Sequence, residues 1–132
     1  LANTYYRATF AAWLAETPVF VPIPLASRRL RWRGFNQAEE IAELVARALA
    51  LPMAHALVRI KDTKPQKEIA LKKDRFKNVR GIFTARDPGA VKDKVIILVD
   101  DVTTSGATLE SAARALKDAG ARAVWGLVIA RG

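Results

Sequence analysis

Two kinds of apolar pattern alternate along this chain. Residues 95–99, Val-Ile-Ile-Leu-Val, form an unbroken run, whereas Ala38, Ile41, Leu44, Val45, Ala48 and Leu49 recur at intervals of three and four. An unbroken run of five suits a strand buried on both faces beneath covering helices, and the three-four spacing puts one apolar stripe on a helix. The same patterns predict a helix over 4–15, with Tyr6, Phe10, Trp13 and Leu14 as its stripe and Asn3 or Thr4 as its cap. A strand follows at 19–23, where Pro22 and Pro24 restrict its end and a loop opens. The helix over 37–51 is stopped by Pro52. Short strands are expected at 56–60 and 82–85, and Asp87-Pro88-Gly89 supplies a turn. A helix over 107–119 carries Leu109, Ala112, Ala113 and Leu116 and ends at Gly120, and a last strand covers 123–130. Residues 28–34 show no helical stripe, and 63–78 read as mobile at first and helical later. Trp13 and Trp125 fall on apolar patterns and are expected in the core.

Strands alternating with helices predict an α/β fold with a mostly parallel central sheet flanked by helices. Ligand loops in such sheets gather at the carboxyl ends of the strands. At 132 residues, about half of them apolar, the chain suits one core: a domain over 19–132, preceded at 1–18 by an N-terminal helix or the remnant of an earlier segment. No run approaches the roughly 18 apolar residues that span a bilayer, and no secretory leader is recognisable, so a cytoplasmic location is expected. Cysteine is absent, which removes disulfides and thiolate metal sites from these residues.

The chemistry concentrates where the 95–99 run meets Asp100-Asp101-Val102-Thr103-Thr104-Ser105-Gly106-Ala107-Thr108. Neighbouring side chains on an extended chain point opposite ways, so one carboxylate can reach vicinal hydroxyls while the other braces the turn or meets a metal through water. Thr104, Ser105, Gly106 and Thr108 offer hydroxyls and approachable N–H groups at a helix start, where unpaired donors and the dipole favour an anion. A diol reader beside a phosphate cradle describes a ribose 5-phosphate site. The bland alternative is an Asp-Asp turn whose Thr or Ser caps a helix.

Charge adds a second clue. Twenty-two Lys and Arg against thirteen Asp and Glu leave +9, favouring anionic ligands from diphosphates to nucleic acid. Arg28, Arg29, Arg31 and Arg33 crowd one loop and Lys72, Lys73, Arg75, Lys77 and Arg80 another, so two basic loops can close on one anion. Trp32, set between arginines, suits either packing or stacking on a base of a single strand. Asn36 is a helix cap or a ligand contact. His55 is the only histidine and reads as structural.

The acidic pair and hydroxyl loop resemble the 5-phosphoribosyl 1-diphosphate (PRPP) motif of the type I phosphoribosyltransferases. Val21-Pro22-Ile23-Pro24-Leu25, Arg28-Arg29, Arg33-Gly34-Phe35-Asn36-Gln37-Ala38, Asp62-Thr63-Lys64-Pro65-Gln66, Arg75, Asn78-Val79 and Gly81-Ile82-Phe83 resemble, in order, the ComF-type branch of that family. The resemblance covers roughly residues 19–131. It implies a type I phosphoribosyltransferase-like fold in which Asp100 and Asp101 take the ribose hydroxyls and act with Mg²⁺ indirectly, through those hydroxyls or water. It gives Thr103, Thr104, Ser105, Gly106, Ala107 and Thr108 the 5-phosphate, and Arg28 and Arg29 the diphosphate. Lys64, Gln66 and Arg75 would belong to a flexible loop that closes over the centre. Thr103 departs from the pattern, since many members carry an aliphatic residue there. Full-length relatives usually begin with a cysteine-rich, zinc-ribbon-like module, which is not recognisable in these residues.

The implied function is transfer of ribose 5-phosphate from PRPP to a nitrogen acceptor, a nucleobase or another amine, with release of diphosphate. A module that binds PRPP or nucleotide without turnover, serving competence and DNA uptake or regulation, is the alternative. No hood over an acceptor base is recognisable, which favours the alternative. Weak binding of single-stranded nucleic acid and a homodimer are compatible with either. A paired-Asp receiver domain fits poorly, because its acids should follow the first strand.

Overall fold

The computed structural model describes residues 15–26, 30–32, 34–60, 82–103 and 106–131. Three parallel strands form its centre in the order β1-β4-β5: β1 (Val19–Pro22), β4 (Val95–Thr103) and β5 (Ala123–Arg131). The middle strand is the apolar run. Val19 pairs with Ile96 and Pro22 with Val99 on one side, and Val95 pairs with Ala123 on the other. Residues 95–99 are buried throughout, as a strand with neighbours on both edges and layers on both faces requires. Pro22 is tolerated because, among the described residues, no further strand lies beside β1; a short segment covers its outer edge instead, where Phe20 N–H donates to Pro52 O and Ala54 N–H to Phe20 O.

Strand alternation sorts the core into two layers. Val19, Val21, Ile96 and Leu98 pack with Leu57, Phe83, Ala112 and Leu116 on one face, while Phe20, Ile97 and Val99 pack with Ala42 and Ala46 on the other. Helix α1 (Gln37–Leu49) therefore covers one face, and the second carries helix α3 (Ala107–Asp118) with a separate two-stranded sheet. That sheet pairs β2 (Leu57–Arg59) antiparallel with β3 (Phe83–Ala85), and Ile60 N–H to Ile82 O with Arg86 N–H to Ala56 O extends it at both ends. The expected α/β architecture is what the chain adopts, yet these two short strands pair with each other and do not join the parallel sheet.

Local readings were corrected in four places. The stripe on α1 is made of Ala38, Ala42 and Ala46, whereas Leu44 is 70% exposed and Ala48 is exposed. Small residues at i, i+4 and i+8 let the helix lie close beneath Phe20, and the larger side chains move to its flanks. Trp125 is 44% exposed on β5 and does not belong to the core. Asp87-Pro88-Gly89 opens a one-turn helix, α2 (Pro88–Val91), with Asp87 as its N-cap and proline early in its first turn. Within 28–34, read as having no helical stripe, residues 30–32 are helical: Leu30 N–H donates to Ala26 O and Gly34 N–H to Leu30 O.

Both long helices end in a left-handed residue. Gly120 takes φ +103 after α3, as its position suggested, and Ala50 takes φ +55 after α1, with the Leu51 N–H returning to Ala46 O. The expected helix over 4–15, Trp13 within it, and the segment 63–78 lie outside the described residues. No described helix is long and apolar enough to cross a membrane.

Candidate functional site

The pairing between β1 and β4 stops at Pro22 and Val99, with a last bond from Ile23 N–H to Val99 O at 3.0 Å. Strand β4 does not stop there. It runs on against β5 through Asp100 with Val128 and Thr103 with Arg131, so the acidic pair lies within the strand and not at its end. Losing one neighbour while keeping the other opens a step at the carboxyl edge of the sheet, and Asp100 and Asp101 occupy it. Asp100 shares the parity of Ile96 and Leu98 and so belongs to the α3 face, with Asp101 on the α1 side. Their backbone directions alternate as expected, but the carboxyl groups still meet. Asp101 N–H donates to Asp100 Oδ1 at 2.9 Å, and the two side chains share a hydrogen bond.

Burial pushes the Asp100 carboxyl up to about 6, partly opposed by the Asp101 N–H, then reinforced by the hydrogen bond and negative charge of the Asp101 carboxyl. The positive charge of Arg59 pulls the other way.

Gly106 is the N-cap of α3 at φ +79, and a Cβ built there would meet no atom within 4 Å. Glycine is favoured here by the backbone conformation. Ala107 and Thr108 form the exposed first turn of α3, and Glu110, the acid of that turn, is paired with Arg114 at 3.3 Å. Thr103 is the last residue of β4. Of the other residues singled out in the sequence, Thr104 and Ser105, Arg28 and Arg29, and Lys64, Gln66 and Arg75 lie outside the described residues.

Arg59 was not singled out, and no local pattern marks it. At the end of β2 its Nε donates to Pro24 O at 3.4 Å, and its guanidinium carbon stands 4.8 Å from the centre of the Phe83 ring. The partner Pro24 is 35 residues away, a distance that helical or strand periodicity does not bridge. Asn36 does two things at once. Its Oδ1 accepts from Ala38 N–H and caps α1, and its Nδ2 donates to Ile23 O, both at 3.1 Å. His55 faces Glu39 on α1, 3.6 Å away, in a half-exposed pair.

Among the described residues no group of three or more His, Cys, Asp or Glu is gathered for a metal. The donor set at the step is two carboxylates. That chemistry fits Mg²⁺, which takes oxygen ligands, keeps several waters and is commonly held by one or two carboxylates together with substrate phosphates.

Comparison with known proteins agrees with this geometry. The profile of the phosphoribosyl transferase domain matches residues 36–131. The competence protein ComFC of Bacillus subtilis is 41% identical over 102 residues, covering 77% of this chain and 39% of that protein. Competence protein F of Haemophilus influenzae is 34% identical over 111 residues, 81% of this chain and 48% of its own length. The DNA utilization protein YhgH of Escherichia coli K12 is 32% identical over 105 residues, 79% of this chain and 45% of that protein. The chain thus spans about half or less of the length of these relatives, and it belongs to the ComF-type branch of the phosphoribosyl transferase domain family.

Proposed function

We propose that this domain binds PRPP at the step where β4 outruns β1, and that it serves DNA uptake or utilisation chiefly as a binding module. The single observation that carries the reading is the juxtaposition of the Asp100-Asp101 pair, at the carboxyl edge of the sheet, with the open left-handed Gly106 that starts α3. The carboxylates suit the ribose 2- and 3-hydroxyls. The backbone of 103–108 suits the 5-phosphate, where helix-start donors favour an anion. Arg28 and Arg29, which follow the bend at Pro24, suit the diphosphate. Asp100 and Asp101 would hold Mg²⁺ through water or the ribose hydroxyls, and the ion would supply positive charge to the diphosphate. The names of the relatives, competence and DNA utilization proteins, support a role in handling DNA.

Transfer of ribose 5-phosphate to a nitrogen acceptor is the second reading. It is favoured by the position of the carboxyl pair against the sugar, where two negative charges stabilise oxocarbenium-like charge at the anomeric carbon as diphosphate leaves. Titration calorimetry with PRPP and MgCl2 tests the binding. The double variant Asp100→Asn, Asp101→Asn is expected to lose affinity by about a hundredfold or more, as when two charged hydrogen bonds are removed. Unchanged affinity sinks the site. Diphosphate release on adding nucleobases decides between module and transferase.

A further inference from the structure

Two successive carbonyls after β1 are each held by a side chain from a different element. Ile23 O accepts from Asn36 Nδ2 at 3.1 Å, and Pro24 O accepts from Arg59 Nε at 3.4 Å. The Ile23 N–H is bonded to Val99 O at 3.0 Å, and Ala26 O accepts from Leu30 N–H, also at 3.0 Å. Pro24 has no N–H of its own, so this bend can be fixed only through its carbonyls and the Ile23 amide. Both side chains are themselves tied down. Asn36 is locked by its cap on α1 and Arg59 by the face of Phe83, so neither can turn away without giving up a second contact. The N-terminus of α1, the end of β2 and the middle of β4 therefore converge on two residues of backbone, Ile23 and Pro24. Ile23 is buried and Pro24 half-buried, so their carbonyls need protein partners, and both partners here are side chains from distant segments of the chain.

We propose that Asn36 and Arg59 are positioning residues: they clamp the bend at 23–24, from which the chain continues to Arg28 and Arg29, and thereby govern affinity for the diphosphate end of PRPP. The inference rests on the PRPP reading above and deepens it. A backbone held before the ligand arrives does not have to be ordered by it, and that saved entropy appears as affinity. The ribose 5-phosphate end is assigned to Asp100, Asp101 and the start of α3; Arg59 acts on Asp100 through its positive charge, which Arg59→Lys keeps, so the two ends of one ligand should respond separately.

Asn36→Ser is the informative variant. Serine remains a good N-cap for α1 and adds no charge, but it is too short to reach Ile23 O. Arg59→Lys keeps the positive charge while losing the planar group that meets Pro24 O and lies on Phe83 together. Calorimetry with diphosphate, PRPP and ribose 5-phosphate in MgCl2, alongside thermal unfolding, reads the result. Each variant is expected to lose diphosphate and PRPP affinity by about tenfold, the loss for one ordinary hydrogen bond with its ordering, and to keep ribose 5-phosphate affinity. Equal losses on all three ligands, or no loss on any, overturn the clamp. Should Asn36→Ser lower the unfolding temperature, Arg59→Lys carries the same comparison from the other side of the bend. A wild-type protein that binds none of the three ligands sinks the site assignment itself, whereas binding that survives both variants sinks the clamp alone.

Discussion

Helices α1 and α3 cover opposite faces of one sheet, and they begin in opposite ways. Asn36 closes the start of α1 with a side-chain oxygen on the Ala38 N–H, and the same residue reaches back to the Ile23 carbonyl. Gly106 starts α3 in the left-handed region and has no side chain to offer. A capped start spends a donor on its own side chain, while a glycine start has no side-chain cap. In the reading proposed above, the contrast separates a helix that braces the site from one that forms part of it.

Substitution at the two starts should therefore give similar stability losses and different binding losses. Gly106→Val is expected to cost about 1–2 kcal/mol of stability, because a β-branched residue resists φ +79. It should also weaken ribose 5-phosphate binding severalfold or more. Asn36→Ala is expected to cost about 1–2 kcal/mol through the lost cap, with ribose 5-phosphate affinity kept. Urea unfolding and calorimetry on the two variants break the contrast if both lose, or both keep, the sugar phosphate.

A smaller effect concerns charge between the helices. The folded Asp100 carboxyl sits near 6 against an ordinary 3.8, so the folded state holds the proton more tightly than the unfolded chain. Stability contributed by that proton is full below about 4 and is lost as pH rises through about 6. Asp100→Asn should accordingly gain stability relative to the wild type at pH 7–8, and the advantage should fade as pH is lowered toward 4. Urea midpoints of both proteins across that range check it; an advantage that grows on acidification reverses the sign and the assignment.

The smallest effect lies at the surface. Trp32 is 86% exposed beside Arg31, on a chain of net charge +9. Weak binding to single strands is expected at low salt, falling steeply as salt rises and reduced severalfold by Arg31→Ala. Fluorescence anisotropy that detects no binding at low salt assigns the basic surface to the diphosphate alone.

How much of this was legible in the sequence follows from the range of the interactions. The 95–99 strand and the 107–119 helix were readable because period and cap are local, and the acidic pair because it directly follows that strand. The β2–β3 sheet was not, since three-residue strands carry too little alternation to name their partner. Arg59 was invisible for the same reason, its partners being reached only once the chain folds back. On α1 the period was right and Ala38, Ile41, Val45 and Leu49 do face the core, but Leu44 and Ala48 do not, because hydrophobicity ranks Leu44 above Ala42 while a close helix-to-sheet approach selects the smaller residue.

That close approach constrains how this chain can vary. Phe20 fills the space under α1 from the sheet, at 1% exposure, and Ala42 and Ala46 complete the same cluster from the helix. Volume there is shared between two elements, so a larger residue at Ala42 is tolerated only where Phe20 shrinks in step, and either change alone strains or hollows the layer. Since Asn36 stands at the head of that helix, helix displacement would be felt at the Ile23 carbonyl. Positions 20 and 42 should thus drift as a matched pair.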